Sequence, residues 1–309
     1  MCRVLVYKGA PVSLDDLLFK PNNSLIRQSY EPQMLDALSL AGFGMLAWDS
    51  RSVRPAVPYA HRSVGLPHFD ETLRSLAEKI DVTALLAHVR GVPFDSAPTV
   101  GEQNLHPFRY RGMPLALAHN GHLAEFDRMR FALLASIRPE IQRLIRGNTD
   151  SEWIYAVLLS QLDDPGAPQS GEAIVAALER TLAILRAVRR EHNIAVSSPV
   201  NLFITDGATI VATRFTFDYG CYDPRDVAGI RSTSHRYLDM WYTTGANYGF
   251  EDGEWKMTSG DGDQAHSLII SSEPLTRDVS TWFEVPEYSA MIAWDEGGAL
   301  RHRVKFLDA

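Results

Sequence analysis

The order of apolar segments along this 309-residue chain predicts an α+β fold, built from two mostly antiparallel sheets with helices packed outside them. Strand-like runs come first, helical patterns occupy the middle of the chain, and strand-like runs fill the last third. This order differs from the alternating strand and helix units of a parallel sheet. Asp206-Gly207 stands between two apolar runs and predicts a tight hairpin turn, which joins antiparallel neighbours.

The first part of the chain carries four strand predictions and two helix predictions. Residues 4–7 form an apolar run that predicts a buried strand, and Ser13 then precedes a short helix as its cap. Residues 71–80 predict a second helix, because their apolar side chains recur on one face. The remaining strands are predicted at 42–48, 84–89 and 115–118.

Longer helices and a second group of strands follow. Thr149 and Glu152 have the S/T-x-x-E spacing of a capping box, in which each side chain caps the backbone N–H of the other, ahead of a helix at 153–162. Ser170 precedes a long amphipathic helix. Residues 245–263 are rich in Gly and Asp, and we expect a surface loop insertion there. Further strands are predicted at 202–205, 210–213, 268–271, 290–294 and 301–306.

Composition and charge limit the classes of function. The net charge of −8 argues against a nucleic acid or an anionic membrane as a partner. No apolar run approaches the ~18 residues of a membrane span, and no leader pattern opens the sequence, so we expect a cytoplasmic protein. The chain has 2 cysteines, Cys2 and Cys221, which exclude a disulfide framework and fit a reducing compartment. We interpret Cys221, in a turn-like stretch, as structural.

Cys2 is the most informative residue, because it follows the initiator methionine. Removal of Met1, which is common before a small residue, leaves Cys2 with a free α-amine, whose usual pKa is about 7.7–8. Such an amine is partly neutral near pH 7 and can act as the base for the thiol of the same residue. A cysteine can also occupy position 2 without this role, so the prediction depends on the rest of the chain.

Three other polar segments stand where a strand ends or a helix begins, which are usual places for functional residues. Arg90 can bind a carboxylate through two guanidinium N–H groups, although a surface arginine is the ordinary alternative. In His119-Asn120-Gly121, the Asn amide and the Gly N–H can meet on one oxyanion, although an Asn-Gly turn is the simpler interpretation. Asp150, in the first turn of a helix, can bind an ammonium group or merely complement the helix dipole.

Taken together, these residues suit an amino-acid-like substrate with a cleavable amide. They supply a nucleophile with its own base, an oxyanion hole, a clamp for a carboxylate and an anchor for an ammonium group. Glutamine and γ-glutamyl compounds carry the matching groups. An alternative metal hydrolase would use four histidines, but no acidic ligand has the required spacing. Those histidines are His88, His106, His119 and His122.

The chain resembles the class II glutamine amidotransferases, which are N-terminal nucleophile hydrolases with a four-layer αββα fold. The resemblance follows the order of the motifs over residues 1–295, and the C-terminal half of the family is matched by Ser272-Glu273-Pro274-Leu275 and Trp282. The other matching motifs are Met1-Cys2-Arg3, Gly42-Phe43-Gly44, Ala87-His88-Val89-Arg90, Asn104-Leu105-His106-Pro107-Phe108, Ala118-His119-Asn120-Gly121 and Thr149-Asp150-Ser151-Glu152.

By this resemblance, residues 1–309 form one class II amidotransferase-like domain that needs no cofactor and no metal. The resemblance makes Cys2 the nucleophile and makes Asn120 and Gly121 the oxyanion hole. It makes Arg90 the partner of the substrate α-carboxylate and Asp150 the partner of its α-ammonium group. We also place His119 among the substrate-binding residues.

Within the family, the opening segment resembles the stand-alone amidohydrolases. Residues 9–17 and 28–30 resemble the ergothioneine-pathway enzyme that removes a γ-glutamyl group, and the His-Pro-Phe and Thr-Asp-Ser-Glu segments resemble glutathione-degrading relatives equally well. Synthase-type members carry Trp where Gly91 stands, and many members carry an acid or Asn where Ala41 stands. These departures concern the identity of the substrate more than the nucleophile.

The resemblance therefore implies an amidohydrolase that cleaves the γ-amide of glutamine or of a small γ-glutamyl compound through a thioester. It uses nearly the whole chain and leaves no room for a synthase domain, so we favour stand-alone hydrolysis. The alternatives are a glutaminase subunit that supplies ammonia to a separate partner, and a regulatory protein on the same fold. Surface aromatic residues expected at Trp241 and Tyr242 would permit a homodimer.

Overall fold

The computed structural model describes residues 2–34, 38–91, 101–221, 239–258 and 265–308. Its strands, in chain order, are β1 Arg3–Ser13, β2 Phe43–Trp48, β3 Tyr59–Ser63, β4 Asp81–Val89, β5 Ala116–Gly121, β6 Ser198–Thr205, β7 Ile210–Arg214, β8 Thr216–Phe217, β9 Trp241–Gly245, β10 Asn247–Glu251, β11 Glu254–Thr258, β12 Ser267–Ser271, β13 Phe283–Glu284, β14 Ser289–Glu296 and β15 Ala299–Phe306. Its α-helices are α1 Leu14–Leu18, α2 Leu25–Gln28, α3 Glu71–Ala77, α4 Phe126–Met129, α5 Pro139–Gln142, α6 Asp150–Ser160 and α7 Gly171–Glu191.

The N-terminal strand lies in the middle of the first sheet, whose order is β13-β9-β12-β1-β4-β2-β3. Strand β1 pairs antiparallel with β4 on one side and with β12 on the other. Arg3 faces Val89 in this register, so Cys2 lies one step further along, beside Arg90. The segment that carries the predicted nucleophile is therefore held on both sides by neighbouring strands.

The second sheet carries the predicted oxyanion residues on its edge strand. Its order is β15-β14-β7-β6-β5, and β8 adds a short pairing to β6. The hairpin between β6 and β7 turns at Asp206-Gly207, as predicted, and the Asp206 carboxylate accepts hydrogen bonds from the N–H groups of Ala208 and Thr209. Asn120 faces Asn201 across the β5–β6 pair.

Three buried apolar clusters give the fold four layers. The cluster between the sheets joins residues of both, including Val4 and Leu86 from the first and Ala118 and Phe203 from the second. A second cluster packs α1, α2 and α3 onto the outer face of the first sheet. A third packs α6 and α7 onto the outer face of the second sheet. The αββα arrangement predicted from the sequence is confirmed, because each sheet buries both faces.

The predicted caps of α1 and α7 are confirmed, but the capping box before α6 is wrong. Ser13 and Ser170 each accept a hydrogen bond from an N–H group in the first turn of the following helix. Thr149 stands at the N-cap position of α6, yet its side chain makes no capping bond. Glu152 instead accepts hydrogen bonds from the N–H groups of Arg146 and Gly147, at 3.0 and 2.5 Å. The carboxylate that would accept the N–H of Thr149 in a capping box is therefore bonded to the preceding loop.

The expectation of a surface loop at 245–263 also needs correction. This segment contains the antiparallel hairpin β10–β11, and residues 259–263 lie outside the described residues. Tyr248 and Trp255 are buried against the core on the outer face of the first sheet. Asp252 and Gly253 form the turn with positive φ values of 54° and 83°, as a two-residue hairpin requires. Asp252 and Gly253 thus mark a turn between two strands.

Trp241 and Tyr242, which we expected at the surface, are half-buried. Trp241 packs against the outer core of the first sheet, and the Tyr242 ring lies 5.6 Å from the ring of Phe283. Strand β9 holds both residues between β12 and β13, so they offer less free apolar surface than the sequence indicated.

Candidate active site

Cys2 and Arg90 lie side by side at the ends of neighbouring strands in the first sheet. The Cys2 side chain is half-buried, and its thiol donates to the carbonyl of Gly91 at 3.6 Å. Arg90 is 5% exposed, and its backbone bonds to Gly42 and Ala41 fix the end of β4. Burial lowers the pKa of Arg90, while the charges of Cys2 and Asp150 oppose that shift. The thiol and the carboxylate therefore both lie within electrostatic reach of the guanidinium.

Asn120 reaches the same place from the second sheet. Its side chain is buried and donates from Nδ2 to Ser272 Oγ at 3.3 Å. The same hydroxyl oxygen accepts the backbone N–H of Val4 at 3.0 Å, so one serine links Asn120 to the nucleophile strand. The Asn amide has two N–H groups, and this contact uses one of them.

Gly121 continues strand β5 opposite Val200, so the simpler interpretation of an Asn-Gly turn is wrong. A Cβ atom at this position would overlap the carbonyl oxygen of Pro199 and the ring of His119. Any larger residue would have to displace the backbone of the neighbouring strand. The close approach of two backbones therefore explains the glycine.

Asp150 joins the start of α6 to the loop that follows β5. Its Oδ2 accepts the N–H of Leu123 at 2.6 Å, and its Oδ1 accepts the N–H and the hydroxyl of Ser151 at 2.7 and 3.0 Å. A carboxylate has about four acceptor sites, so one remains for a further N–H donor. The interpretation that it only complements the helix dipole does not account for its bond to Leu123.

His119 is the predicted site residue that the structure places apart from the others. Neighbouring residues of a strand point to opposite faces, and Asn120 faces the first sheet. The His119 ring instead faces α6, where its Nδ1 lies 2.9 Å from Ser151 Oγ. A neutral ring has one N–H, which is donated either from Nδ1 to Ser151 Oγ or from Nε2 to the carbonyl of Pro199, 3.5 Å away. Burial lowers the pKa of His119, so the ring is neutral and supports Asp150 indirectly.

A pair of buried histidines lies beside these residues. His88 Nε2 is 2.7 Å from His106 Nδ1 and 3.3 Å from the carbonyl oxygen of His119. Since a carbonyl can only accept, one arrangement satisfies both contacts: His88 Nε2–H donates and His106 Nδ1 accepts. Burial, together with the charge of Arg90, lowers the pKa of His88 to about 3, and burial holds the pKa of His106 well below its usual value. Both rings are therefore neutral near pH 7.

The metal alternative finds no support in this geometry. The facing nitrogens of His88 and His106 bond to each other instead of converging on a common point. Within the described ranges, no group of three or more His, Cys, Asp or Glu side chains is arranged to hold a metal ion.

Two charged residues near Cys2 were missed by the sequence analysis. Arg3 is 1% exposed, donates to the carbonyl of Cys2 at 3.1 Å and pairs with buried Glu273 at 3.2 Å. The signal was a charged residue directly before the apolar run of residues 4–7. Its partner lies 270 positions away, which no local pattern indicates.

Comparison with known proteins decides the family. A family model described as class II glutamine amidotransferases matches residues 67–305. The chain belongs to the class II glutamine amidotransferase family. The matched range includes Arg90, Asn120, Gly121 and Asp150. The family and the enzyme class predicted from the sequence are confirmed.

A curated relative extends the similarity over most of the chain, including its N-terminal part. The chain is 29% identical over 309 residues to the probable glutamine amidotransferase DUG3 of Saccharomyces cerevisiae. The alignment covers 94% of this class II amidotransferase and 81% of the yeast protein.

Solved structures of amidotransferases share the fold. A class-II glutamine aminotransferase domain protein from Silicibacter pomeroyi superimposes with a TM-score of 0.60 at 20% identity, covering 99% of this chain and 100% of that one. The glutamine phosphoribosylpyrophosphate amidotransferase of Bacillus subtilis superimposes with a TM-score of 0.53 at 16% identity, covering 98% of this chain and 49% of that one. No helix among the described residues is both long and apolar enough to cross a membrane.

Proposed function

We propose that this class II amidotransferase is an N-terminal-cysteine amidohydrolase that cleaves the γ-amide of glutamine or of a γ-glutamyl compound through a thioester. One observation carries the proposal. The hydroxyl of Ser272 bonds both to the backbone of Val4, two residues after Cys2 on β1, and to Asn120 at the edge of the second sheet, and Arg90 lies next to Cys2. The shared apolar layer between the sheets supports a single domain over 1–309.

The nucleophile is the thiol of Cys2 after removal of Met1, which lies outside the described residues. The free α-amine takes the thiol proton, directly or through a water molecule, and the thiolate attacks the γ-carbonyl carbon. The carbonyl oxygen becomes an oxyanion, which accepts hydrogen bonds from the second N–H of Asn120 and from Gly121.

Collapse of the tetrahedral intermediate breaks the amide bond. The leaving amine takes the proton held by the α-amine of Cys2, and a γ-glutamyl thioester remains on the sulfur. Water then attacks the thioester, the same amine accepts its proton, and glutamate leaves as the thiol is restored. Each step conserves protons without an external acid, base or metal.

Recognition of the glutamyl group rests on two charged residues. Arg90, buried at a strand end, binds the α-carboxylate through its guanidinium fork. Asp150 uses its remaining acceptor site for the α-ammonium group. Both charges lie in a partly desolvated setting, where such pairs are stronger than in water.

Glutamate release from a panel of glutamine, glutathione and γ-glutamyl anilide tests the proposal. We expect release that is lost in Cys2→Ala and kept in Cys221→Ser, which removes the exposed second cysteine. The intact mass of the active protein should equal that of the chain without Met1. Normal release by Cys2→Ala, or a retained Met1 in fully active protein, would contradict the mechanism.

The pattern of substrates separates the remaining alternatives. Release from a γ-glutamyl compound above that from glutamine supports a stand-alone amidohydrolase. Release from glutamine alone supports a subunit that supplies ammonia to a separate partner. A cytoplasmic location, a homodimer and an ammonia-accepting partner stay predictions.

A further inference from the structure

The dipeptide Ser272-Glu273 follows strand β12 and contacts both parts of the proposed machinery. The Ser272 N–H donates to the carbonyl of Val4 at 3.1 Å, and its hydroxyl accepts the N–H of Val4 at 3.0 Å. The side chain therefore completes the β1–β12 ladder where the strand ends. The same hydroxyl oxygen receives Asn120 Nδ2, so the position of Asn120 depends on the strand that carries Cys2.

Glu273 also contacts strand β1, through the side chain of Arg3. Its carboxylate pairs with Arg3 at 3.2 Å, with both side chains almost fully buried. The other carboxylate oxygen accepts the N–H groups of Gln33 and Met34 at 3.0 and 3.2 Å, which fixes Glu273 itself. Arg3 in turn donates to the carbonyl of Cys2 at 3.1 Å. A chain of buried polar contacts thus leads from Glu273 to the backbone of the nucleophile.

We propose that Ser272 and Glu273 are positioning residues: Ser272 fixes the amide of Asn120, and Glu273 fixes Cys2 through Arg3. This inference rests on the proposed function. It assigns a positioning role to the first two residues of the motif Ser272-Glu273-Pro274-Leu275.

The Asn120 amide shows why such a contact matters. Asn120 is 4% exposed, and its Oδ1 has no hydrogen-bond partner among the residues that the structure describes. The bond to Ser272 is therefore what fixes the rotation of the amide and aims its second N–H group. Without the hydroxyl the amide can turn, and misplacement by about 1 Å can cost about a hundredfold in rate.

Ser272→Ala tests the first half, with Ser272→Thr as the variant that keeps a hydroxyl. We expect kcat to fall about ten- to a hundredfold in Ser272→Ala with KM close to wild type, and to recover at least partly in Ser272→Thr. Ser267→Ala is the matched control, because Ser267 is a buried serine at the other end of β12 that bonds to Ala246. It should lower stability without lowering kcat.

A double-mutant cycle shows whether Ser272 acts through Asn120. In the Asn120→Ala background, Ser272→Ala should change kcat little, because the residue it positions is already gone. Full additivity of the two losses would overturn the assignment. So would a Ser272→Ala protein with wild-type kcat.

The Glu273 half is tested by thiol reactivity as well as by activity. In a Cys221→Ser background, Glu273→Gln should change the rate at which iodoacetamide alkylates Cys2. This change should not follow the change in the free energy of unfolding, which urea unfolding measures. Arg3→Lys serves if Glu273→Gln does not fold, because lysine keeps the charge but lacks the fork that reaches both partners. Folded variants with wild-type kcat and alkylation rates would overturn this half.

The outcome separates this inference from the proposed function. If Cys2→Ala abolishes glutamate release while the Ser272 and Glu273 variants keep wild-type kcat, only the positioning role fails. If Cys2→Ala keeps normal release, the proposed function fails and the positioning role fails with it.

Discussion

The two ends of the pairing between strands β1 and β12 both place polar groups between the sheets, but they use them differently. At the far end, Lys8 is 7% exposed and bonds to Asp295 at 2.7 Å and to the carbonyl of Gly207 at 3.2 Å. It joins the first sheet to the β6–β7 turn and to strand β14 of the second. At the Cys2 end, Asn120 uses one of its two N–H groups, and its Oδ1 is without a partner among the described residues.

This difference separates a structural tie from a binding site. A buried polar group without its full set of hydrogen bonds is costly, and a bound ligand can supply the missing partner. The polar group at the Lys8 end already has its partners. The Cys2 end keeps unused donors and acceptors beside a thiol, which is the arrangement expected of an active site.

The largest expected effect is at the Cys2 end. Asn120→Ala removes an oxyanion donor and should lower kcat by about 10²–10³, or ~3–4 kcal/mol, with KM little changed. Steady-state kinetics with the best substrate of the panel measures it. Wild-type kcat in a folded Asn120→Ala protein would remove Asn120 from the mechanism.

The buried histidine pair should make the protein sensitive to acid. The pKa of His88 is about 3 when folded and near 6.5 when unfolded, so below pH 6.5 the unfolded chain binds a proton that the folded one does not. Stability is therefore lost as pH falls through 6.5, by about 3 kcal/mol between pH 7 and pH 4.

His88→Gln isolates this contribution, since glutamine does not titrate and keeps an N–H donor. Urea unfolding at several pH values should give a shallower dependence for His88→Gln over this window. Identical slopes in the two proteins would show that His88 does not stay neutral in the fold.

A smaller effect is expected from Arg90→Lys. Lysine keeps the charge but loses the paired N–H groups, so kcat/KM should fall about tenfold, mainly through KM. Arg51→Lys is the control, because Arg51 is 60% exposed in its side chain and pairs only with surface acids among its described contacts. Equal kinetics of the two variants would argue against a carboxylate clamp at Arg90.

The smallest effect is expected at the Lys8 end. Lys8→Met removes an ion pair whose acid, Asp295, is 63% exposed, so the free energy of unfolding should fall by only about 1 kcal/mol. Because Lys8 has no part in the chemistry, kcat should be unchanged. A loss of kcat comparable with that of Asn120→Ala would mean that the two ends are not functionally distinct.

The local features of this protein follow from short stretches of its sequence. Apolar runs predicted β1, β4 and β12, serine caps predicted where α1 and α7 begin, and residue identity singled out Cys2. These features depend on neighbours within a few positions, where periodicity and capping chemistry act. Alternation along β5 also indicates that His119 and Asn120 cannot both face the site, because neighbouring residues of a strand point to opposite faces.

The contacts between distant residues, in contrast, depend on how the two sheets pack. Glu152 was expected to cap the backbone N–H of Thr149. Its carboxylate instead accepts hydrogen bonds from the N–H groups of Arg146 and Gly147. The contacts of Ser272 with Asn120 and of Glu273 with Arg3 join residues 152 and 270 positions apart. Such pairs form because the sheets bring together strands from opposite ends of the chain, and burial then makes their bonds obligatory.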